Sequence, residues 1–338
     1  MAPVHDSGVP WHVKAVCLLT VTSLTTALVI LMRLSKTEGS EPYASSTAVL
    51  ISEIIKLFVS LIALGVERKS LLALSKCVFR EILCDPKETC KLMIPAGLYA
   101  LQNNLVYLAL TNLDAATYQI TYQLKILTTA LFAVILLKKR ITRRQWFSLV
   151  ILTTGVALVQ LRTVDFSSEG SPNTRNQIIG FTCILINIFT SGISGVYFEY
   201  LVKVGSVEKT SVPLRNSQLG IFSVAITASI VLLHDGDFVA EYGFFAGYTP
   251  LVWSVPIVMA VSGLSVAVTL KYADNILKGF ATSISIILTA ILSHFWLSDL
   301  EINLRFVAGT MLVLWATFEY GLPSTDPKIL PKAEKSIP

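Results

Sequence analysis

Long apolar runs follow one another along this chain, with only short polar stretches between them. A helix needs about 20 mostly apolar residues to cross the hydrocarbon core of a bilayer, and only helices and closed barrels satisfy their backbone there. The runs are continuous and do not alternate with polar residues, which excludes a barrel. They predict transmembrane helices at 11–33, 44–66, 91–111, 115–137, 144–162, 176–198, 215–234, 251–270, 279–298 and 303–320.

The composition agrees with an all-α membrane protein. The chain is 53% hydrophobic and only 14% charged, whereas a soluble domain carries about 25% charged residues. Residues 1–14 are polar and no small-residue cleavage site follows the first run, so we expect that run to be a permanent anchor. The segment 67–90 has the spacing of an amphipathic surface helix, and the tail 321–338 has the composition of a disordered segment.

Lysine and arginine residues in the loops predict the orientation. If the N-terminus is cytosolic, most of the 27 Lys and Arg residues lie on the cytosolic side, concentrated in 68–91 and 138–144. The opposite side holds Arg33, Lys36, Arg162, Arg175 and Arg305. This imbalance favours an even number of spans with both termini cytosolic. The net charge of +5 is then mostly a topology signal, and we predict no nucleic-acid partner.

Two tight hairpins resemble each other and indicate a repeat. Leu110 and Asp114 lie four apart where the third run meets the fourth, and Leu270 and Asp274 do so where the eighth meets the ninth. The hairpins are five spans apart, and this odd offset places them on opposite sides of the membrane. Many secondary transporters have such inverted repeats, with the substrate site between them. Chance is the alternative explanation, because the two hairpins match at only two residues.

Lys125 lies near the middle of the fourth run, where a lysine costs about 2.5–3.5 kcal/mol on insertion scales. Tyr118, Tyr122 and Lys125 are spaced i, i+4, i+7, so a helix presents them on one face. The alternatives are an anion-binding role in a cavity and burial beside an acid such as Glu53, because the depth works against snorkelling. We favour the functional alternative.

Lys278 opens the ninth run and is followed by Gly279. A helix N-terminus attracts anions, and a glycine lets a ligand approach the backbone closely. An interfacial lysine that obeys the positive-inside rule is an equally good interpretation. Together, Lys125 and Lys278 would flank a phosphate. A lysine binds phosphate as a point charge and releases it more readily than a bidentate arginine, as a carrier requires.

Other polar residues in the spans have two interpretations each. The amides of 102–104 suit either a pyrimidine edge and sugar hydroxyls or hydrogen bonds between helices. The glycines of 191–195 favour close helix packing. Glu53 and Lys56 lie three apart on one face and predict an internal ion pair, and Glu199 is interpreted as an interfacial residue.

The sequence contains no catalytic constellation. Its histidines are scattered, its cysteines lack metal-ligand spacing, and it has no Gly-rich phosphate loop or acidic metal cluster. We therefore predict that the protein is not an enzyme and has no metal or other cofactor.

Five segments of the chain form a recognisable set: 102–104 (QNN), 112–125 (NLDAATYQITYQLK), 195–199 (GVYFE), 215–218 (RNSQ) and 271–280 (KYADNILKGF). Together they resemble the Golgi nucleotide-sugar transporters, in the branch that handles UDP-N-acetylglucosamine, UDP-galactose and CMP-sialic acid. The resemblance covers about 11–322. It implies the drug/metabolite transporter fold, with ten helices in two inverted five-helix repeats at 11–162 and 176–320, after a cytosolic N-terminus at 1–10.

The resemblance also implies antiport, in which a cytosolic nucleotide sugar enters the Golgi lumen and the nucleoside monophosphate leaves. By matching position, Lys125 and Lys278 would hold phosphate, with Gly279 beside Lys278. The residues expected around the nucleotide are Asn103, Asn104, Tyr118, Tyr122, Ser191, Ser194, Asn216 and Gly220. Members that carry CMP-sialic acid have a tyrosine at the position of Gly220, so this glycine favours uracil over cytosine.

The exchanged partners implied by the resemblance are a UDP-sugar and UMP. The segment 293–297 (SHFWL) looks closest to UDP-N-acetylglucosamine transporters. UDP-galactose, or several substrates including CMP-sialic acid, is an alternative. Other classes stay open as well: a small-metabolite exporter on the same fold, a nucleotide-binding receptor or scaffold without transport, and an intramembrane transferase. The sequence does not distinguish Golgi from endoplasmic reticulum, and it leaves homo-oligomerisation open.

Overall fold

A computed structural model describes residues 9–35, 43–69, 86–110, 112–113, 115–160, 174–204, 211–297 and 303–322. Within these ranges every regular element is a helix. The helices are α1 (Trp11–Leu34), α2 (Ser45–Arg68), α3 (Pro86–Lys91), α4 (Met93–Leu110), α5 (Ala115–Tyr122), α6 (Lys125–Leu136), α7 (Arg143–Gln160), α8 (Thr174–Val204), α9 (Val212–His234), α10 (Gly236–Tyr242), α11 (Pro250–Tyr272), α12 (Asn275–Leu297) and α13 (Leu304–Gly321).

Six helices in the described part of the chain are long and apolar enough to cross a membrane. They are α1, α2, residues 178–203 of α8, α9, α11 and residues 275–295 of α12, and 120–136 is a shorter apolar stretch. A helix overlaps each of the predicted runs, so the all-α membrane class is confirmed. Of the predicted surface helix in 67–90, the structure describes 67–69 and 86–90, and the latter belong to α3. Residues 323–338 of the tail and Asp114 fall outside the described residues.

The fourth predicted span is broken in two, although we expected one helix over 115–137. α5 ends at Tyr122 and α6 begins at Lys125. Between them, the N–H of Gln123 bonds to the carbonyl of Ile120 at 3.2 Å, and the N–H of Leu124 bonds to that of Thr121 at 3.1 Å. These i→i−3 bonds tighten the chain into a turn. The turn contains neither proline nor glycine, so the sequence gives no local sign of it.

Side-chain caps fix the starts of several helices. Ser211 accepts a hydrogen bond from the N–H of Leu214 at the start of α9, and Thr249 accepts one from Val252 at the start of α11. Both helices also carry a proline in their first turn, where its missing N–H costs nothing. Such caps satisfy backbone donors that lipid cannot satisfy.

The long helices pack in a reciprocal pattern. α1 lies against α11 and α12, while α8 lies against α4 and α6. α2 packs on α9 and also contacts α11, while α9 also contacts α4. On the first of these surfaces, the hydroxyl of Thr22 donates to the carbonyl of Ala281 at 3.2 Å, and the hydroxyl of Thr26 bonds to that of Ser285 at 3.0 Å. Each half of the chain therefore covers helices of the other half.

α7 and α13 cross with their backbones in contact. At Gly155 an added Cβ would lie 3.0 Å from the carbonyl oxygen of Gly309, and at Gly309 it would lie 2.7 Å from that of Gly155. The two backbones touch because neither position has a side chain, as is common where small residues cross in membranes. Val156 and Val313 are buried beside this crossing.

Candidate functional site

A cavity of about 440 Å³ lies between the α5–α6 turn and the first turns of α12. Its volume falls in the range of sites for small organic ligands. Six of the residues singled out from the sequence line it together: Tyr118, Tyr122, Lys125, Ser191, Lys278 and Gly279. They come from α5, α6, α8 and α12, so elements far apart in the chain build one site.

Two tyrosines of α5 form one wall of the cavity. The rings of Tyr118 and Tyr122 are stacked, with centroids 5.4 Å apart. Tyr118 accepts a hydrogen bond from the amide of Asn187 at 3.1 Å, and the hydroxyl of Tyr122 donates to Ser191 at 3.3 Å. Both anchoring residues lie on α8, so α5 is held against that helix with its aromatic faces fixed.

Lys125 occupies the first position of α6, directly after the break. Its ammonium nitrogen lies 4.1 Å from the centroid of the Tyr122 ring, a cation–π contact. The preceding turn is fixed by Gln123, whose amide donates to that of Gln160 on α7 at 2.8 Å. Tyr118, Tyr122 and Lys125 all line the cavity, so the predicted common face is confirmed despite the break.

Lys278 lies in the first turn of α12, and its N–H bonds to the carbonyl of Asp274 at 3.0 Å. Next to it, Gly279 has open space where a Cβ would lie, so a ligand atom has room at the backbone. Thr282 and Ser283 continue the cavity wall one turn further along the helix and add hydroxyl groups.

The electrostatics of the cavity favour an anion. Lys125 and Lys278 repel each other, while Glu199 attracts Lys278 from outside the cavity lining. No aspartate or glutamate stands among the described residues that line the cavity. Neither lysine takes part in the ion pairs found in the described part of the chain. Glu53, considered above as a partner for Lys125, instead pairs with Lys56 at 2.6 Å, so the predicted internal pair is confirmed.

Other residues singled out from the sequence lie outside this cavity. Ser194 is buried and accepts a hydrogen bond from Gln102 at 3.0 Å, so one amide of 102–104 bridges two helices. Gly220 packs against α2, since an added Cβ would lie 3.2 Å from the Cβ of Leu57. Asn216 is half-buried on α9. The side chains of Asn103 and Asn104 fall outside the described part of the structure.

A second cavity, of about 230 Å³, lies between α2, α4 and α9. The Glu53–Lys56 pair, Tyr99, Ser223 and Thr227 give it polar groups among apolar ones. The pair is neutral overall, so this cavity lacks the uncompensated positive charge of the first one.

A buried cluster of charges at one end of the first cavity was not predicted from the sequence. Glu199, interpreted above as interfacial, is only 2% exposed and pairs with Lys203 at 2.7 Å. Asp274 pairs with Lys139, which follows the end of α6. Only tertiary packing brings these residues together. Lys139 belongs to the basic segment 138–144, which was interpreted only as an indication of topology.

The pair between Asp274 and Lys139 shifts both groups towards their charged forms. Burial by itself would raise the pKa of the Asp274 carboxyl, but the Lys139 ammonium and the Leu277 N–H together hold that pKa below its usual value. Burial would likewise lower the pKa of Lys139, and the Asp274 carboxylate more than offsets this, so that pKa is raised.

Comparison with known proteins gives concordant matches over almost the whole chain. The family model described as "Nucleotide-sugar transporter" matches residues 10–321. The human UDP-N-acetylglucosamine transporter is 48% identical, with 94% of this chain and 97% of that protein covered. The mouse UDP-galactose translocator is 40% identical, with 100% and 86% covered. A protein of known crystal structure shares the fold with a TM-score of 0.66 at 12% identity, covering 91% of this chain and 96% of its own.

Proposed function

This chain belongs to the nucleotide-sugar transporter family, whose members are transporters and not enzymes, and from that premise we propose that it is an antiporter. It imports a UDP-sugar, with UDP-N-acetylglucosamine favoured, into the Golgi lumen and exports UMP. The observation that carries this proposal is the pair of lysines, Lys125 and Lys278, which face one cavity without a carboxylate among its described lining residues.

The substrate's phosphates would occupy the space between the two lysines. A UDP-sugar and UMP share the phosphate that such a site selects, so one site serves both directions of exchange. The stacked Tyr118 and Tyr122 present aromatic faces for the uracil or ribose, and Ser191 adds a hydroxyl. Gly279 leaves room at the phosphate. Asn103 and Asn104 are proposed as nucleotide contacts from the resemblance, whereas Ser194, Asn216 and Gly220 lie outside the cavity that holds the two lysines.

The names of the relatives support a UDP-sugar as the substrate. The human relative at 48% identity is named for UDP-N-acetylglucosamine and the mouse relative at 40% for UDP-galactose. Both nucleotides are uridine diphosphates, in agreement with the uracil preference inferred from Gly220. UDP-N-acetylglucosamine is therefore our first candidate, and UDP-galactose or a wider range that includes CMP-sialic acid is the second.

The proposed transport cycle rests on two inverted repeats of five helices, at 11–162 and 176–320, with both termini cytosolic. The reciprocal packing of α1 on α11 and α12, and of α8 on α4 and α6, supports this arrangement, because an inverted repeat pairs its elements in that way. Rocking of the two repeats would open the central cavity alternately to the cytosol and the lumen.

Charge repulsion would make the exchange obligatory. In a closed empty cavity, Lys125 and Lys278 repel each other and lack solvation, which raises the free energy of that state. A bound phosphate neutralises them, so loaded states interconvert and the empty state does not. The carrier then returns only with UMP or another nucleotide bound.

Counterflow in proteoliposomes tests the proposal. Vesicles preloaded with UMP or CMP would be offered labelled UDP-N-acetylglucosamine, UDP-galactose and CMP-sialic acid. We expect uptake of a UDP-sugar that depends on internal UMP. No uptake of any of the three by folded protein would contradict the proposal, and uptake driven equally by CMP would contradict the uracil preference.

The same experiment separates the other classes. A nucleotide-binding receptor or scaffold would bind UMP saturably without counterflow. A small-metabolite exporter would not be inhibited by UMP, and a transferase would release a new product. Each outcome is visible in the same vesicles with a parallel binding measurement.

A further inference from the structure

Residues 273–275, which join α11 to α12, are held by three contacts from other parts of the bundle. The carbonyl of Ala273 accepts a hydrogen bond from Lys203, and Asp274 pairs with Lys139. The N–H of Asn275 donates to the carboxylate of Glu199 at 2.9 Å. Each residue of this short segment is therefore fixed by a charged side chain.

The charges of this cluster are balanced, and its two acids are buried while the lysines are partly exposed. Glu199 and Asp274 are 2% and 8% exposed, and each has a lysine partner. A buried ion is costly unless it is paired and hydrogen-bonded, so the cluster persists only while its members stay together. Removal of one partner would leave a buried charge uncompensated.

The cluster joins three elements at one end of the first cavity. Glu199 and Lys203 lie at the end of α8, and Lys139 follows α6, whose end is fixed by a left-handed Lys138 and a bond from the N–H of Lys139 to Ala133. Packing is tight, since a Cβ at Gly195 of α8 would lie 2.4 Å from the amide of Asn275. Residues 275 and 276 themselves line the cavity.

The same segment leads directly into the phosphate-binding turn. Asp274 caps α12 through the N–H of Leu277 at 2.8 Å, and its carbonyl accepts from the N–H of Lys278. A displacement of residues 273–275 therefore moves Lys278, and a force on Lys278 acts on the cluster.

We propose that Glu199, Asp274, Lys139 and Lys203 form an ionic latch that keeps this end of the cavity shut and couples it to the phosphate site through the first turn of α12. The coupling of the latch to the phosphate site rests on the proposed function, whereas the closure of this end of the cavity does not. Opening of this end requires residues 273–275 to separate from α8 and from the chain after α6. Glu199 and Asp274 are thus positioning residues for transport and do not touch the substrate.

The closure is tested by the reactivity of a cavity cysteine. The five native cysteines are replaced, Thr282→Cys is introduced as a reporter on the cavity wall, and a membrane-impermeant maleimide is added from the side where α8 ends. Asp274→Asn removes the charge and keeps a side chain that caps a helix equally well. We expect this variant to react about tenfold faster than the parent, within the usual range of coupling between sites.

Two further variants make the test specific. The charge exchange Lys139→Asp with Asp274→Lys restores an ion pair and should return the rate towards that of the parent. Arg144→Gln with Glu319→Gln removes an ion pair between α7 and α13 that does not involve residues 273–275, and should leave the rate unchanged. An unchanged rate in Asp274→Asn, or an equal increase in the Arg144/Glu319 control, would overturn the latch.

A disulfide tests the latch in the opposite way, by locking residues 139 and 274 together. Lys139→Cys with Asp274→Cys, oxidised in the chain whose only other cysteine is the Thr282→Cys reporter, should stop reporter labelling and counterflow until a reductant is added. Labelling that continues after oxidation would overturn the closure. UMP binding, followed by a thermal shift, separates the two proposals. A parent that shows no UMP binding while Asp274→Asn labels faster would refute the transport substrate and leave the latch standing.

Discussion

Lys125 and Lys278 face the same cavity from helices that are built in different ways. Lys125 follows a break within a span, and the turn before it is held by neutral groups: the amides of Gln123 and Gln160 and the stacked ring of Tyr122. Lys278 follows a hairpin, and its turn is held by a capping carboxylate and the ionic cluster around Asp274. Two equivalent charges are thus positioned by aromatic and amide contacts on one side and by ion pairs on the other.

This difference separates two kinds of sensitivity. Contacts between neutral groups depend on shape and change little with pH or salt. Buried ion pairs depend on charge, and removal of one partner costs more than removal of both. The α5–α6 side should therefore respond mainly to changes of volume and hydrogen bonding, and the α12 side mainly to changes of charge.

The largest effect should come from the lysines themselves. Lys125→Ala and Lys278→Ala would each remove the proposed charge-assisted contact to phosphate, of about 1.5–3 kcal/mol, so we expect counterflow to fall by roughly 100-fold in either variant. Expression and thermal unfolding should stay close to those of the parent, because neither lysine has an ion-pair partner in the described structure. Lys271→Ala, close in sequence to Lys278, is the matched control. Full transport by either variant would show that the two lysines do not both bind the phosphate.

Two glycines of α8 allow the two sides of the cavity to be tested separately. One packs against α6, which carries Lys125, and the other against α12, which carries Lys278. A Cβ at Gly192 would lie 2.9 Å from the hydroxyl of Thr128 on α6, and a Cβ at Gly195 would reach Asn275 on α12. Overpacking of this kind costs about 1–3 kcal/mol. We expect Gly192→Ala to weaken UMP binding, and Gly195→Ala to increase maleimide labelling of the cavity. The same profile in both variants would show that the two sides are not separable.

A smaller effect is expected at the amide pair before Lys125. Gln160→Met keeps the volume and removes the hydrogen bond to Gln123, whose net contribution is about 0.5–1.5 kcal/mol. The KM for counterflow should rise about fivefold while the maximal rate stays the same, because Lys125 is misplaced but still charged. Thr154→Val, at an exposed position of the same helix, should leave both parameters as they are. A lower maximal rate with unchanged KM would contradict the role given to this pair.

The smallest effect concerns pH. The pKa of Asp274 is lowered, so its contribution to stability is present above the unfolded pKa, near 4, and is lost only as the pH falls through the lower folded value. The pKa of Lys139 is raised, so its contribution is present below about pH 10 and is lost only as the pH rises further. Glu199 is a second acid of the cluster and repels Asp274, so the comparison is made with Glu199→Gln in both chains. The difference in Tm between this reference and its Asp274→Asn variant should then be constant between pH 5 and 9. A difference that shrinks towards pH 5 would contradict the ion pair.

Much of the site could be predicted from local spacing. The i, i+4, i+7 pattern placed Tyr118, Tyr122 and Lys125 on one surface, and the glycines of 191–195 indicated close packing on α8. Both signals depend only on helix geometry, which the apolar runs establish. The Glu53–Lys56 pair was predicted for the same reason, since its partners lie within one turn.

The remainder depends on contacts that no local pattern encodes. The break at Gln123 lacks proline and glycine, and its stabilising partner, Gln160, lies on another helix. Glu199 resembled an interfacial acid until packing placed Asn275 and Lys203 against it. Asn216 and Gly220 were named by resemblance alone, and the structure sets Gly220 against Leu57 instead of in the first cavity.

The contact between Gly155 and Gly309 constrains how this sequence can evolve. With the two backbones touching, an alanine at either position would meet main-chain atoms, which cannot move aside as a flexible side chain can. A larger residue at one position cannot be compensated by a smaller one at the other, because glycine is already the smallest residue. Every single substitution at either position is therefore destabilising. Descendants of this chain should keep both glycines long after the lipid-facing residues around them have been replaced.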